Sequence, residues 1–227
     1  MSSIKSNQKI TTFNGIADAT VAFHEEVKSE MNALRASAEV IKVPVFDRIY
    51  NGFANAFNTF NNFSNESAQQ LASIATKYSE REGFGPQAQA AFEECAQYVK
   101  RMEGAGENYT EVEMSTGLDE NVTAETVSAY MKALKSVVAL KDPYLAKLVN
   151  IIGENVEADT QDIYSNIGAG IEQVTNALVD VLEANSAEIA KFNVSLDEVT
   201  TAVKTASATV TDSGKNTATQ VANYETL

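Results

Sequence analysis

Apolar residues recur along this chain at the three- and four-residue intervals of a helix, and no stretch alternates with the period of two that a half-buried strand needs. The first stripe is Phe23, Val27, Met31, Leu34, Ala38 and Ile41, which predicts a helix over about residues 15–42. The polar residues 1–14, rich in Ser, Thr and Asn, read as a frayed tail. Val43-Pro44-Val45 interrupts the pattern, because proline disfavours helix at the residue before it and fits the first turn of the helix that follows. The second stripe is Phe46, Tyr50, Phe53, Phe57 and Phe60. It skips the seam position Ser64, resumes with Ala68, Leu71, Ile74 and Tyr78, and stops at Gly83 and Gly85-Pro86. Two long helices joined by a short proline-containing turn predict an antiparallel hairpin.

Beyond the hairpin, Phe92, Cys95, Val99 and Met102 predict a shorter helix over about 86–103. Residues 104–122 are acidic, contain glycine and lack a period, so they read as a loop or linker and as the place where the chain divides. A helix over about 123–141 then carries Val127, Tyr130, Leu134, Val137 and Val138, and Lys141-Asp142-Pro143 punctuates it. From Tyr144 a long pattern passes through Leu148, Ile152, Val156, Ile163, Ile167, Ile171, Val174, Leu178, Val181, Ile189 and Phe192. Ser195-Leu196-Asp197-Glu198 has the form of a capping box and suggests a break and a last helix over about 196–212, with a pattern running straight through as the alternative, before a polar, disordered tail. The expectation is an all-α protein, with long antiparallel hairpins forming an elongated bundle. Its parts are a hairpin and short helix over 1–103, a linker over 104–122, and a C-terminal helical hairpin with its tail over 123–227.

Composition agrees with this reading: only 3 Pro and 11 Gly interrupt a chain whose hydrophobic fraction, 44%, is ordinary for a packed domain. Charge narrows the partners. With 31 acidic and 17 basic residues the net charge is −14, which argues against nucleic acid or an anionic membrane surface, since both require a cationic footprint. No uninterrupted apolar run approaches the length of a membrane span. Met1-Ser2-Ser3-Ile4-Lys5-Ser6 lacks the apolar core of a secretory signal peptide, so the chain is expected to be cytoplasmic or to leave the cell by a route that reads no N-terminal signal.

Candidate chemistry is sparse. Cys95 is the only cysteine, so it forms no disulfide within the chain; its neighbours Phe92, Ala96 and Val99 place it in a core, and Glu93 and Glu94 would raise its pKa. His24 is the only histidine and reads as a solvated residue on a polar helix face, without the second histidine of a zinc helix or the paired Glu-x-x-His of a di-iron bundle. Gly104-Ala105-Gly106 follows no strand and lacks the third glycine of a dinucleotide loop, and no phosphate-binding Gly-Lys-Ser/Thr occurs. Neither metal nor cofactor is implied, and no catalytic constellation emerges.

The first hairpin carries one further pattern. Tyr50-Asn51-Gly52 near the start of the second helix is followed by Phe57, and the helix closes with Tyr78-Ser79-Glu80-Arg81-Glu82. This resembles the helical-hairpin family of type VII secretion systems, in which a Trp-x-Gly sits between two long helices and a Tyr-x-x-x-Asp/Glu export signal closes the second. Tyr50 stands in for the Trp and Gly52 for the Gly, while Tyr78 and Glu82 take the place of the export signal. The resemblance covers about residues 15–83, lacks the Trp, and concerns a family whose members are shorter than this chain. A second Tyr-x-x-x-Glu, Tyr109 to Glu113, lies in the linker, and Ile163-Tyr164-Ser165-Asn166-Ile167-Gly168 loosely echoes Ile49-Tyr50-Asn51-Gly52, as either a tandem hairpin or an unrelated one would.

The resemblance implies a non-enzymatic, secreted or secretion-associated protein that binds a protein partner, or a second copy of itself, by helix packing. Phe46, Phe53, Phe57 and Phe60, with Phe63, are more aromatics than one two-helix seam needs. They either pack against the rest of the chain or form that partner's interface. A membrane-active helical toxin and a cytosolic coiled-coil scaffold are the competing readings; the first is opposed by Glu172, Gln173, Asn176 and Asp180, which interrupt the most apolar segment.

Overall fold

A computed structural model describes the protein over residues 2–117, 119–139 and 158–206, with side chains over 6–117, 119–139 and 166–206. The protein is an all-α bundle. Helix α1 spans Ser2–Ile41, α2 Pro44–Ser79, α3 Pro86–Val99, α4 Ala124–Val138 and α5 Ala158–Ile189, and a last helix, α6, covers 197–206. At a rise of about 1.5 Å per residue, α1 and α2 are each more than about 50 Å long, which makes the bundle elongated.

Helix α1 begins far earlier than its apolar stripe suggests. Phe13 and Ile16 are fully buried and continue the three-four spacing backwards from Phe23, so the expected frayed tail belongs to the helix. Helix α3 lies across both helices at the open end of the hairpin and holds this part of α1. Its Cys95 Sγ donates to Asn14 Oδ1 (3.3 Å), Tyr98 donates to Asp18, and Phe92 stacks on Tyr78 of α2 with ring centroids 5.2 Å apart. At the other end α1 stops with Lys42 in the left-handed region (φ 54°), its N–H bonded to Ala38 O, and Pro44 starts α2 at once. The expected antiparallel hairpin is therefore present, with its turn at Lys42-Val43.

The second half packs onto this hairpin. Helix α4 lies along α1, and the buried Tyr130 reaches across to donate to Phe46 O (2.9 Å) while its ring meets that of Phe46 edge-on at 4.9 Å. Helix α5 runs antiparallel to α2 in a register fixed by three contacts. Arg48 donates to Asn185 Oδ1 (3.2 Å), Gly52 faces Val181, and Gly170 faces Phe63; the intervals are four and eleven residues on both helices. Each glycine admits a large side chain from the opposite helix. A Cβ on Gly52 would stand 2.5 Å from Val181 Cγ2, and one on Gly170 would stand 2.5 Å from Phe63 Cε1. A single apolar core runs from Phe13 to Ala206 through both halves.

The expected break before the last helix is present, with Asn193 in the left-handed region and Ser195 Oγ accepting from Asp197 N (3.3 Å). Glu198, expected to complete a capping box, instead pairs outward with Lys135 (2.8 Å). The box form is found at α4, where Thr123 and Thr126 exchange side-chain and backbone hydrogen bonds. Lys141-Asp142-Pro143, the stripe from Tyr144 to Val156, the side chains of Ile163 and Tyr164, and the tail from residue 207 lie outside the described residues.

Replacing Gly52 by Val sets two effects against each other. Removing a mid-helix glycine gains under about 1 kcal/mol, whereas forcing methyls against the stiff Val181 costs about 1–3 kcal/mol. We expect Gly52→Val to lower the urea midpoint and the additional change Val181→Ala to recover most of the loss, measured by equilibrium unfolding. Two independently additive losses would contradict the α2–α5 register.

Candidate functional site

The side chains singled out from the sequence are drawn inward. Phe46, Phe53, Phe57 and Phe60 are all buried in the chain's own core, which corrects the expectation of a partner interface there. Phe46 packs on Tyr130 and Phe192, Phe57 on Phe23 and Tyr109, and Phe60 on Phe23 and His24. The surplus of aromatics is absorbed by elements that a lone hairpin would lack. Tyr50 and Gly52 lie inside α2 and not in the turn, because the helix already starts at Pro44. Two residues apart on a helix, they address different neighbours: the Tyr50 hydroxyl donates to Thr110 O (3.4 Å), and Gly52 meets α5. Tyr78 and Glu82 are separated too. Tyr78 is buried between α2 and α3 with the Arg81 guanidinium over its ring (4.5 Å), whereas α2 ends at Ser79 and leaves Glu82 exposed in the following turn.

His24 overturns its expectation. It is 6% exposed, and its Nε2 lies 3.1 Å from Ser64 Oγ, so the one polar gap in the aromatic seam of α2 is matched to the one histidine on α1. Burial disfavours the imidazolium and lowers the pKa to about 4. Cys95 is in the core as expected, and its pKa is pushed up to about 12, the cause being burial rather than the neighbouring glutamates.

Sequence reasoning missed the most organised polar array. Residues 107–115, part of the stretch read as an acidic loop or linker, run antiparallel along α2 without helical or strand structure of their own, and α2 holds their main chain with side-chain amides. Asn58 accepts from Tyr109 N (2.6 Å) and donates to Tyr109 O (3.0 Å). Asn51 does the same for Val112, at 2.8 Å and 3.0 Å. Asn55 donates to Glu111 Oε1 (3.0 Å), Asn61 to Asn108 Oδ1 (3.1 Å), and the buried Asp47 accepts from Ser115 N (2.8 Å).

An extended segment with no neighbouring strand must find partners for its N–H and C=O groups. Asparagine presents one donor and one acceptor edge, the same pair as a peptide group, and can satisfy both at once. The spacing fits. Seven residues of α2 advance about 10.5 Å, and three residues of extended chain advance about 10 Å. Asn51 and Asn58, seven apart, thus meet Val112 and Tyr109, three apart.

The strap also seats side chains. Val112 is buried, the Tyr109 ring meets Phe57 edge-on at 6.3 Å, and Lys28 pairs with Glu107 (2.7 Å). Gly106 and Gly117 end it where no Cβ fits, against Asn61 Oδ1 and the Lys42 carbonyl respectively. Asn61 Oδ1 receives no N–H or O–H donor; an α-hydrogen of Gly106 occupies the direction towards it.

Among the described residues no cluster of His, Cys, Asp and Glu could hold a metal ion, and no helix is long and apolar enough to cross a membrane. Compared with models of known families, with curated proteins and with solved structures, the chain matches none.

Two outcomes follow for the polar array. Asn51→Ala and Asn58→Ala each strand a main-chain donor and acceptor and should cost about 1–3 kcal/mol in equilibrium unfolding. Asn55→Ala, which contacts an exposed carboxylate, should cost well under about 1 kcal/mol; equal effects at all three positions would contradict main-chain holding.

For His24, the unfolded chain takes up a proton below its ordinary pKa of 6.5 while the folded protein resists until about 4. Between these values the unfolded state binds more protons, so stability is complete above pH 6.5 and is lost as pH falls towards 4, by up to about 3 kcal/mol. His24→Gln should flatten the stability profile across that window, and an unchanged slope would contradict the assignment.

Proposed function

We propose that this protein is a non-enzymatic helical interaction protein linked to type VII secretion, which acts by packing against a protein partner. The observation that carries the reading is the α1–α2 hairpin, 40 and 36 residues long with a continuous buried seam, the architecture of the family that the first third of the chain resembles. The commitment of potentially reactive groups to the core supports the non-enzymatic part. The His24 imidazole is neutral and bonded to Ser64, the Cys95 thiol stays protonated, and the Tyr130 hydroxyl is spent on Phe46 O. The inward Phe46, Phe53, Phe57 and Phe60 direct the search for a partner surface to the outer faces of the helices. The export element rests on Tyr78 and Glu82, of which only Glu82 is open to a receptor.

That difference selects the experiment. Tyr78→Ala would remove a buried, stacked ring at about 3–5 kcal/mol, so lost export could follow from lost folding. Glu82→Ala changes an exposed turn residue and should leave stability within about 0.5 kcal/mol. In cells carrying a type VII system, we expect Glu82→Ala to lower the ratio of protein in the medium to protein in cells about tenfold or more, at an unchanged unfolding midpoint. Wild-type export of this variant would overturn the export assignment.

A further inference from the structure

Where α1, α2, α4, α5 and α6 converge, the core does not close. A cavity of about 40 Å³ remains. About 10–15 Å³ suffices for one water, so the space is larger than a single solvent molecule requires. One wall is aromatic, built from Phe23, Phe57 and Phe60, with Phe23 and Phe60 edge-on at 5.0 Å. The facing wall is aliphatic and includes Ile171, Val203 and Ala206.

The lining holds one polar side chain, Thr175, and its hydroxyl already donates to Glu172 O (2.9 Å). A buried water needs two to four polar partners, and these walls supply almost none, so the cavity favours dryness. An apolar guest would displace no ordered solvent and would gain dispersion contacts that the lining atoms otherwise forgo.

We infer that this cavity is a binding site for a compact, uncharged hydrocarbon group of about the size of a single ring. Among the described residues the Thr175 hydroxyl is the one polar side-chain group of the lining and its proton is already given to Glu172 O, which selects against polar guests, and the aromatic wall offers ring faces and edges for contact. Helix α6 closes one side of the cavity with Val203 and Ala206, and its outer side is held by two exposed ion pairs, Lys135–Glu198 (2.8 Å) and Lys204–Glu183 (2.6 Å). The site is independent of the secretion reading, since it uses no residue of Tyr78–Glu82.

The test uses the intact chain with benzene and xenon as probes. We expect saturable shifts of the Ile171, Val174, Leu178 and Val203 methyl resonances with benzene, a benzene-dependent rise in Tm, and a bound signal in xenon NMR. Ala206→Leu, which adds carbons at the rim, should weaken benzene binding at least tenfold while the variant keeps its own cooperative unfolding. Thr175→Val, which removes the single polar lining group, should bind benzene as tightly as wild type or more tightly. Absence of both methyl shifts and a xenon signal in the wild-type protein overturns the proposal, as does loss of benzene binding in a folded Thr175→Val variant.

Discussion

The pairing of α2 side-chain amides with the main chain of residues 107–115 is the constraint from which the arrangement of the two halves follows. A main chain that is neither helix nor sheet can lie against a helix only if something answers its N–H and C=O groups. Asn51 and Asn58 answer Val112 and Tyr109 in both senses, and Asp47 answers Ser115. The strap leaves α3 at the open end of the hairpin and is delivered, at Gly117, to the carbonyl of Lys42 at the closed end. Helix α4 can then only begin beside the C-terminal part of α1. The direction of the second half thus follows from the course of the strap.

Helix α2 can serve this role because its faces are divided between different partners. One carries the aromatic seam towards α1, a second carries Gly52 and Phe63 into the α5 register, and a third carries the amides. Burial is so complete that polar residues on the seam must satisfy one another, and His24 with Ser64 does so at the price of a depressed imidazole pKa. Asp47, nearly inaccessible, sits in the first turn of α2, where the helix dipole favours a negative charge and the Ser115 amide completes its environment.

Much of this was legible in the sequence. The helical period located α1, α2, α3, α4 and the break before α6, because apolar burial on one face of a helix is a one-dimensional signal. What escaped notice depends on contacts across the fold. Phe13 and Ile16 continue the α1 stripe but are embedded among Ser, Thr and Asn, which hide the period there. His24 looks like a surface residue until Ser64 is placed opposite it. The strap lacks a period because its hydrogen bonds go to another element. Its signal lay in α2 instead, where asparagine, a poor helix former, recurs at 51, 55, 58, 61, 62 and 65 with the spacing of a second stripe. Tyr78 and Glu82 match a pattern that presumes a helix through both, and the helix ends between them.

A protein organised in this way uses its polar side chains to hold helices and a strap in register. The central claim is that residues 107–115 are bound structure and not a tether. Native-state hydrogen exchange at the Tyr109, Val112 and Ser115 amides tests it most directly. The account predicts exchange at least about a hundredfold slower than in an open chain, despite the lack of regular secondary structure. Exchange of all three at open-chain rates would contradict it.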